Sequence, residues 1–323
     1  MKIFITGGTG FVGRSLVKQL SNTDHELVCL ARKTSDLEPL KDNGVEIVFG
    51  DLTDKVSLKQ GMRGCDRVIN VAGNFEMWLA DQHGYHDVNV AGVVNIMEAV
   101  LEEGIEKVVH ISTIAAFGET ALPITEESQY GEECASEYAR TKRMGEMIAW
   151  KMYEEQGLPL VVVYPAAVIG PNDPKAAGRY IQKIARHQMP AQVLVDAPFC
   201  FIYVEDLCRA IIQALLKEDN IGERYLVSGA NMTWGELNQL ICDLADVSLP
   251  FIKLPDAVTV ASSRLLTAIA DLIKVPPLLD LSKDQVDLMK EGFRVDAGKC
   301  ERELGIRYTP MRTAMEKTIA SFV

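Results

Sequence analysis

The stretch SEYARTKRMGE sets Tyr138 and Lys142 four residues apart, a spacing that puts both side chains on one face of a helix. A lysine ammonium beside a tyrosine favours the phenolate and lowers a pKa that is about 10 when unperturbed. A tyrosine tuned in this way can give a proton to a carbonyl oxygen, or take one from an alcohol, near neutral pH. On an exposed helix the same pair would be an ordinary surface feature. Upstream, KVVHISTIAAFG ends an apolar, strand-like run with Ser112 and Thr113. Either hydroxyl could hydrogen-bond a substrate oxygen at that strand end, and either could simply cap the turn that follows.

Such side chains need elements that hold them, and the opening MKIFITGGTGFVGRSLVKQL supplies the first. Ile3, Phe4 and Ile5 read as a buried strand ended by Thr6 and Gly7. From Phe11 and Val12 the apolar residues continue at helical spacing through Leu16, Val17 and Leu20. In a strand, turn and helix of this kind Gly7 permits the tight turn, Gly10 lets a phosphate approach the backbone, and Gly13 lets helix and strand pack closely. The helix N-terminus then offers free N–H groups and a partial positive charge to a pyrophosphate. Residues 26–31 (ELVCLA) read as a second buried strand and complete a β-α-β unit. Further strand-like runs at 45–49, 67–71, 107–112 and 160–164 alternate with helical patterns at 55–62, 88–103 and 135–156. This alternation predicts an α/β fold: a Rossmann-type, doubly wound parallel sheet with ligands at the carboxyl ends of its strands.

Residues 1–165 are expected to form the dinucleotide-binding domain, with a returning segment near 199–228. Residues 166–198 and 229–323 are expected to form a smaller, mainly helical substrate-binding lobe. Within it, apolar positions 258, 261, 265, 269, 272 and 273 mark an amphipathic helix. It lacks the Lys/Arg-rich polar face of a membrane-surface helix, so it is predicted to pack against the second lobe.

Composition narrows the function. With 323 residues and 48% hydrophobic content the chain can bury a large core, and its net charge of -12 argues against nucleic acid as a partner. Seven cysteines without a C-x-x-C pair read as reduced thiols of an intracellular protein. No secretory pattern opens the sequence, and no apolar run approaches the roughly 18 residues a membrane span needs, so a cytoplasmic enzyme without a membrane span is expected. Asp81, His83, His86 and Asp87 cluster without a recognised metal spacing, so no metal is expected. Phe75 and Trp78 could wall a substrate pocket or pack in the core. After the second strand comes Arg32-Lys33 with no acidic residue at its end. An NAD site usually offers a carboxylate there to the ribose, whereas a 2′-phosphate needs a cation, so NADP is favoured over NAD.

The glycine turn, the strand-end hydroxyl and the YxxxK helix, in this order, resemble the extended short-chain dehydrogenase/reductase (epimerase/dehydratase) superfamily over nearly the whole chain. VAG at 71–73, NVAGVVN at 89–95, YPAAVIGP at 164–171, FIYVEDL at 201–207 and ELGIRYTP at 303–310 extend the likeness. NFEMWLAD and VPPLLDLSKDQVDLM are most similar to the bacterial dihydroflavonol-reductase-like group, some of whose members are labelled hopanoid-associated sugar epimerases. The resemblance implies Thr113 as the catalytic hydroxyl in preference to Ser112, Tyr138 as acid/base, and Lys142 on the nicotinamide ribose. It implies cofactor contacts from Gly7, Gly10, Phe11, Val12, Gly13, Arg32, Lys33, Asp51, Leu52, Ala72, Gly73, Pro165 and Val168. Asn70 and Tyr164 depart from it, standing where many relatives carry histidine and arginine.

The expected activity is NADP(H)-dependent reduction of a ketone or aldehyde by hydride transfer, with Tyr138 protonating and Thr113 orienting the oxygen. An NAD-dependent nucleotide-sugar epimerase is the alternative, and a non-catalytic dinucleotide sensor a second one. Thr113-Ile114-Ala115 lacks the Asp-Glu that the superfamily's sugar dehydratases place after the threonine. The partner is a small carbonyl or alcohol substrate, and by resemblance helices 88–103 and 135–156 could pair two copies in a homodimer.

Overall fold

The computed structural model describes residues 1–322. Short β-branched runs become the first six strands of a parallel sheet: β1 (Lys2–Thr6), β2 (Glu26–Ala31), β3 (Glu46–Phe49), β4 (Arg67–Asn70), β5 (Lys107–Ile111) and β6 (Leu160–Pro165). The chain then enters a smaller sheet through β7 (Ala167–Ile169) and β8 (Pro198–Tyr203). It returns to the large sheet as β9 (Arg224–Val227) and to the small one as β10 (Ala230–Thr233). The large sheet runs β3-β2-β1-β4-β5-β6-β9 and the small one β10-β8-β7. Reversal of strand order beside β1 creates the crevice where an open α/β sheet binds ligand. Register lines up Thr6, Asn70 and His110 across three neighbouring strand ends there.

On one face of the large sheet α1 (Phe11–Leu20) follows β1, and the single turn α2 (Glu38–Lys41) follows β2. Three helices that pack in series cover the other face: α3 (Lys55–Met62), then, after the short α4 (His83–His86), α5 (Gly92–Glu103) and α6 (Glu137–Gln156). Helix 88–103 begins as a π-helical turn, Asp87–Ala91, rather than as a regular helix. Beyond β6, α7 (Ala176–Ala185) opens the second lobe, α8 (Val204–Leu216) packs on α1, and α9 (Trp234–Ala245) starts with a capping box of Thr233 and Glu236. Of the remaining helices, α10 (Asp256–Ile273) and α11 (Lys283–Glu291) pack on each other and α13 (Met311–Ala320) packs on α7 and α9, whereas α12 (Gly298–Leu304) packs on α8 and β9 beside the large sheet. The segment 199–228 therefore splits, since β8 belongs to the small sheet while α8 and β9 belong to the large one.

One expectation is overturned. The amphipathic stripe of α10 does not pack against the second lobe. Val258, Leu265, Ile269, Leu272 and Ile273 face solvent, while Thr259, Ser263 and Ala270 are buried on the opposite side. Those small side chains allow close approach to α11, and the two buried hydroxyls are satisfied by the carbonyls of Pro255 and Val260.

Candidate active site

Steric detail explains the glycine turn. Gly7 has φ +73°, and a Cβ on it would lie 2.7 Å from the Ala72 amide nitrogen. A Cβ on Gly13 would fall 2.0 Å from the Gly7 carbonyl oxygen, so α1 starts hard against the turn. Gly10 caps α1 without any side-chain hydrogen bond, which leaves the first-turn amides open to an anion. Gly7, Gly10, Phe11, Val12 and Gly13 line one end of a cleft of about 450 Å³. Arg32, Asp51, Leu52, Ala72, Gly73, Pro165 and Val168 line it too. Lys33 is exposed and lies outside the cleft wall, so the cation there is Arg32 alone. The bare cradle and the basic residue fit a dinucleotide phosphate.

Two asparagines that sequence reasoning passed over as part of NVAGVVN hold this wall in place. Asn89, in the π-helical turn, accepts from the Asn74 amide at 2.8 Å and donates to the Asn74 carbonyl and the Thr141 hydroxyl. Asn95 donates to the Leu52 carbonyl at 2.9 Å. Asn89 sits in a π-turn, a feature only the fold reveals and one that gathers at functional sites.

Thr113, Tyr138 and Lys142 come together in the same cleft. Ser136 caps α6 by accepting from the Ala139 amide at 3.1 Å, which fixes Tyr138 in the first helical turn. One turn on, the Lys142 ammonium donates to the Ile111 carbonyl at 2.7 Å, so the helix is pinned to the end of β5. Burial lowers the Lys142 pKa to about 8, against the opposing charge of Glu146. Burial likewise pushes the Tyr138 hydroxyl up to about 12, with the Thr113 side chain pulling the other way. The lysine thus does not make Tyr138 a standing phenolate; desolvation wins, and the tyrosine stays a proton donor.

The choice between the two hydroxyls follows from their partners. Ser112 donates to Glu146, a fully buried carboxylate that also receives the hydroxyls of Tyr130 and Tyr164 and the Trp150 indole N–H. Thr113 accepts a long bond from the Ala115 amide, at 3.3 Å, and its side chain lies against the Tyr138 hydroxyl in the cleft. Tyr164, one of the departures from the family pattern, is therefore part of a carboxylate network. Asn70, the other, joins the Thr6 hydroxyl at 2.6 Å to His110 at 2.9 Å, and burial keeps that histidine neutral.

Phe75 meets the Tyr138 ring edge-on at 4.9 Å and does wall the cleft. Trp78 does not: its indole N–H turns outward to Asp271 at 2.8 Å. The rest of the substrate end comes from elements far apart in sequence, with Tyr180 from α7, Phe199 from β8, Trp234 from α9, Leu288 from α11 and Phe293 beyond it. Its lysine, Lys175, is ion-paired with Glu76. Asp81 accepts from the His83 amide at 3.0 Å instead of gathering the nearby histidines around a shared centre.

Comparison with known proteins matches residues 3–228 to the model of the NAD dependent epimerase/dehydratase family. Sterol demethylase protein B of Methylococcus capsulatus is 30% identical, with 100% of this chain and 98% of that protein covered. Anthocyanidin reductase ((2S)-flavan-3-ol-forming) of Vitis vinifera is 27% identical over 91% of this chain and 90% of its own length. Among solved structures, that of gox2253 superposes with a TM-score of 0.86 at 29% identity, covering 99% of this chain and 97% of the other.

Proposed function

The chain belongs to the NAD-dependent epimerase/dehydratase family as an oxidoreductase of the extended short-chain dehydrogenase/reductase type, and from this premise we propose that it reduces a ketone or aldehyde using NADP(H). The observation that carries the reading is Arg32, exposed on the cleft wall directly after β2 where no carboxylate stands to receive a ribose hydroxyl. Its guanidinium is suited to a 2′-phosphate through paired, charge-assisted hydrogen bonds.

When bound, a nicotinamide dinucleotide supplies the hydride. Gly7, Gly10 and Gly13 would hold its pyrophosphate against α1, Asp51 and Leu52 would meet the adenine, and Lys142 would hold the nicotinamide ribose. Thr113 would turn its hydroxyl to the substrate oxygen and so fix the carbonyl before Tyr138. Tyr138, neutral in its buried setting, gives its proton to the oxygen as negative charge develops there. The Lys142 ammonium then faces the forming phenolate, which its charge stabilises.

A nucleotide-sugar epimerase needs cations for its substrate's diphosphate. Here Lys175 is paired with Glu76, and Arg179 and Lys183 both pair with Asp280, at 3.2 and 2.6 Å. That pairing favours an uncharged carbonyl substrate. Fluorescence titration with NADPH and NADH tests the cofactor reading. We expect NADPH to bind at least about tenfold tighter, roughly one charge-assisted contact's worth, and Arg32→Asp to erase the preference. A preference for NADH, or NAD retained through purification, would instead favour the epimerase.

A further inference from the structure

Exposed apolar side chains are concentrated on the second lobe. Among the described residues, nine of the fifteen large hydrophobics that face solvent fall between 251 and 278, which makes a patch rather than the usual scatter. Phe251 is 92% exposed and Leu272 83%. Along α10 the exposed Val258, Ala261, Leu265, Ile269 and Leu272 recur at spacings of three and four, so they form one continuous face.

We propose that this face docks on the surface of an anionic lipid bilayer. Charge selects that occupant. The chain carries -12 overall, yet between 251 and 278 three cations, Lys253, Arg264 and Lys274, outnumber Asp256 and Asp271. All three cations are exposed beside the apolar face, and the carboxylate of Asp271 receives the Trp78 indole N–H. An anionic surface attracts this side of the molecule and repels the acidic remainder, which orients the face toward lipid.

A second copy is a poorer fit. Arg264 lies at the middle of α10, so antiparallel pairing of two copies about that point would bring each Arg264 toward its own image. The polar face that an interfacial helix normally turns to water is here turned inward, with Thr259, Ser263 and Ala270 buried. The cations therefore sit at the rim, where lipid headgroups lie. No helix among the described residues is long and apolar enough to cross a membrane, so the contact is peripheral. By its opposite side, the helix that carries this face packs on an element of the cleft wall. The Lys283 amide donates to Thr267 of α10 at 2.7 Å, and the helix it begins, α11, lines the cleft with Gln285 and Leu288.

Docking is separate from the reaction proposed above, and its test reads no turnover. The full chain is floated with vesicles of phosphatidylcholine and phosphatidylglycerol. We expect it to rise with them, to be released by high salt, and to lose at least about tenfold in binding on combining Leu265→Glu with Leu272→Glu. The double variant, changed only at exposed positions, should melt and bind NADPH like the parent. Failure of the parent protein to float overturns the proposal. So does sedimentation of the parent as a dimer that the double variant converts to monomer, since the face would then belong to a second copy.

Discussion

Ser112 and Thr113 differ by one methyl group and one position, and the fold gives them different tasks. Ser112 is committed to Glu146, a buried carboxylate held by four donors, which leaves Thr113 as the hydroxyl we propose for the substrate. Tyr138 stays protonated because burial outweighs the hydrogen bond from Thr113. We expect Tyr138→Phe to lower kcat by at least about 100-fold, the low end for a positioned acid, with NADPH affinity in fluorescence titration nearly unchanged. Burial pulls the pKa of the Lys142 ammonium down to about 8, below the ordinary lysine range, with Glu146 opposing. Below that pH it is charged and can stabilise the phenolate; above it the charge is gone. The pH profile of kcat/KM for NADPH, which reports free-enzyme ionisations, should therefore be level below about 8 and fall above it. In Lys142→Arg the fall should move beyond the accessible range, because a guanidinium stays charged. Residue type and spacing put Tyr138 and Lys142 on one helix face and offered Ser112 or Thr113 beside them; the family resemblance preferred Thr113, and burial reverses the lowered tyrosine pKa that the spacing suggested. Glu146 was not legible in the sequence, because its partners Ser112, Tyr130, Tyr164 and Trp150 come from separate stretches and meet only in the folded chain.

At the scale of elements, local patterns that depend on neighbouring residues were readable, and choices made by distant packing were not. The helix at 55–62 and the glycine turn stand where periodicity and steric need place them. The stripe on α10 is also where the sequence puts it. Periodicity, however, reports that a helix has two unlike faces and not which one meets the protein; small residues opposite the stripe dock on α11 and leave it outside. Trp78 misled for a similar reason, since an aromatic beside a pocket motif can turn either way, and Asp271 draws this one outward. The glycine turn allows the strongest prediction at this scale. A Cβ at Gly13 would sit 2.0 Å from the Gly7 carbonyl, so relief requires α1 to back away from the turn proposed to cradle the pyrophosphate. Gly13→Ala should lose at least about tenfold in dinucleotide affinity by titration, a cost of about 1.4 kcal/mol, and should melt below the parent. Unchanged binding would mean that the α1 N-terminus does not hold the phosphates.

At the scale of the whole molecule, the C-terminal helices reach back to the helix that carries the tyrosine. At its N-terminus α11 makes three contacts in succession. Ser282 donates to the Met77 carbonyl at 2.7 Å, Asp284 accepts from the Glu137 amide at 2.9 Å, and Gln285 lines the cleft. The middle contact matters most for chemistry, because Glu137 is the first residue of α6 and Tyr138 the second. A carboxylate supplied by the second lobe thus satisfies an otherwise free amide at the positive end of the catalytic helix. The sequence does not show this coupling: Asp284 lies within the singled-out stretch at 275–289, but its partner is 147 residues away and the two meet only in the folded chain. Removing the acceptor should loosen the first turn and let Tyr138 move without disturbing Arg32 or the glycine cradle. Asp284→Ala is therefore expected to cost about 1 kcal/mol in stability, as losing a helix cap does, and to lower kcat about fivefold with NADPH affinity intact. Asp284→Asn, which keeps an acceptor oxygen, should recover most of both. If the alanine variant melts lower but turns over at the parent rate, the contact only fastens the lobes; if kcat falls with it, the second lobe helps hold the catalytic proton in place.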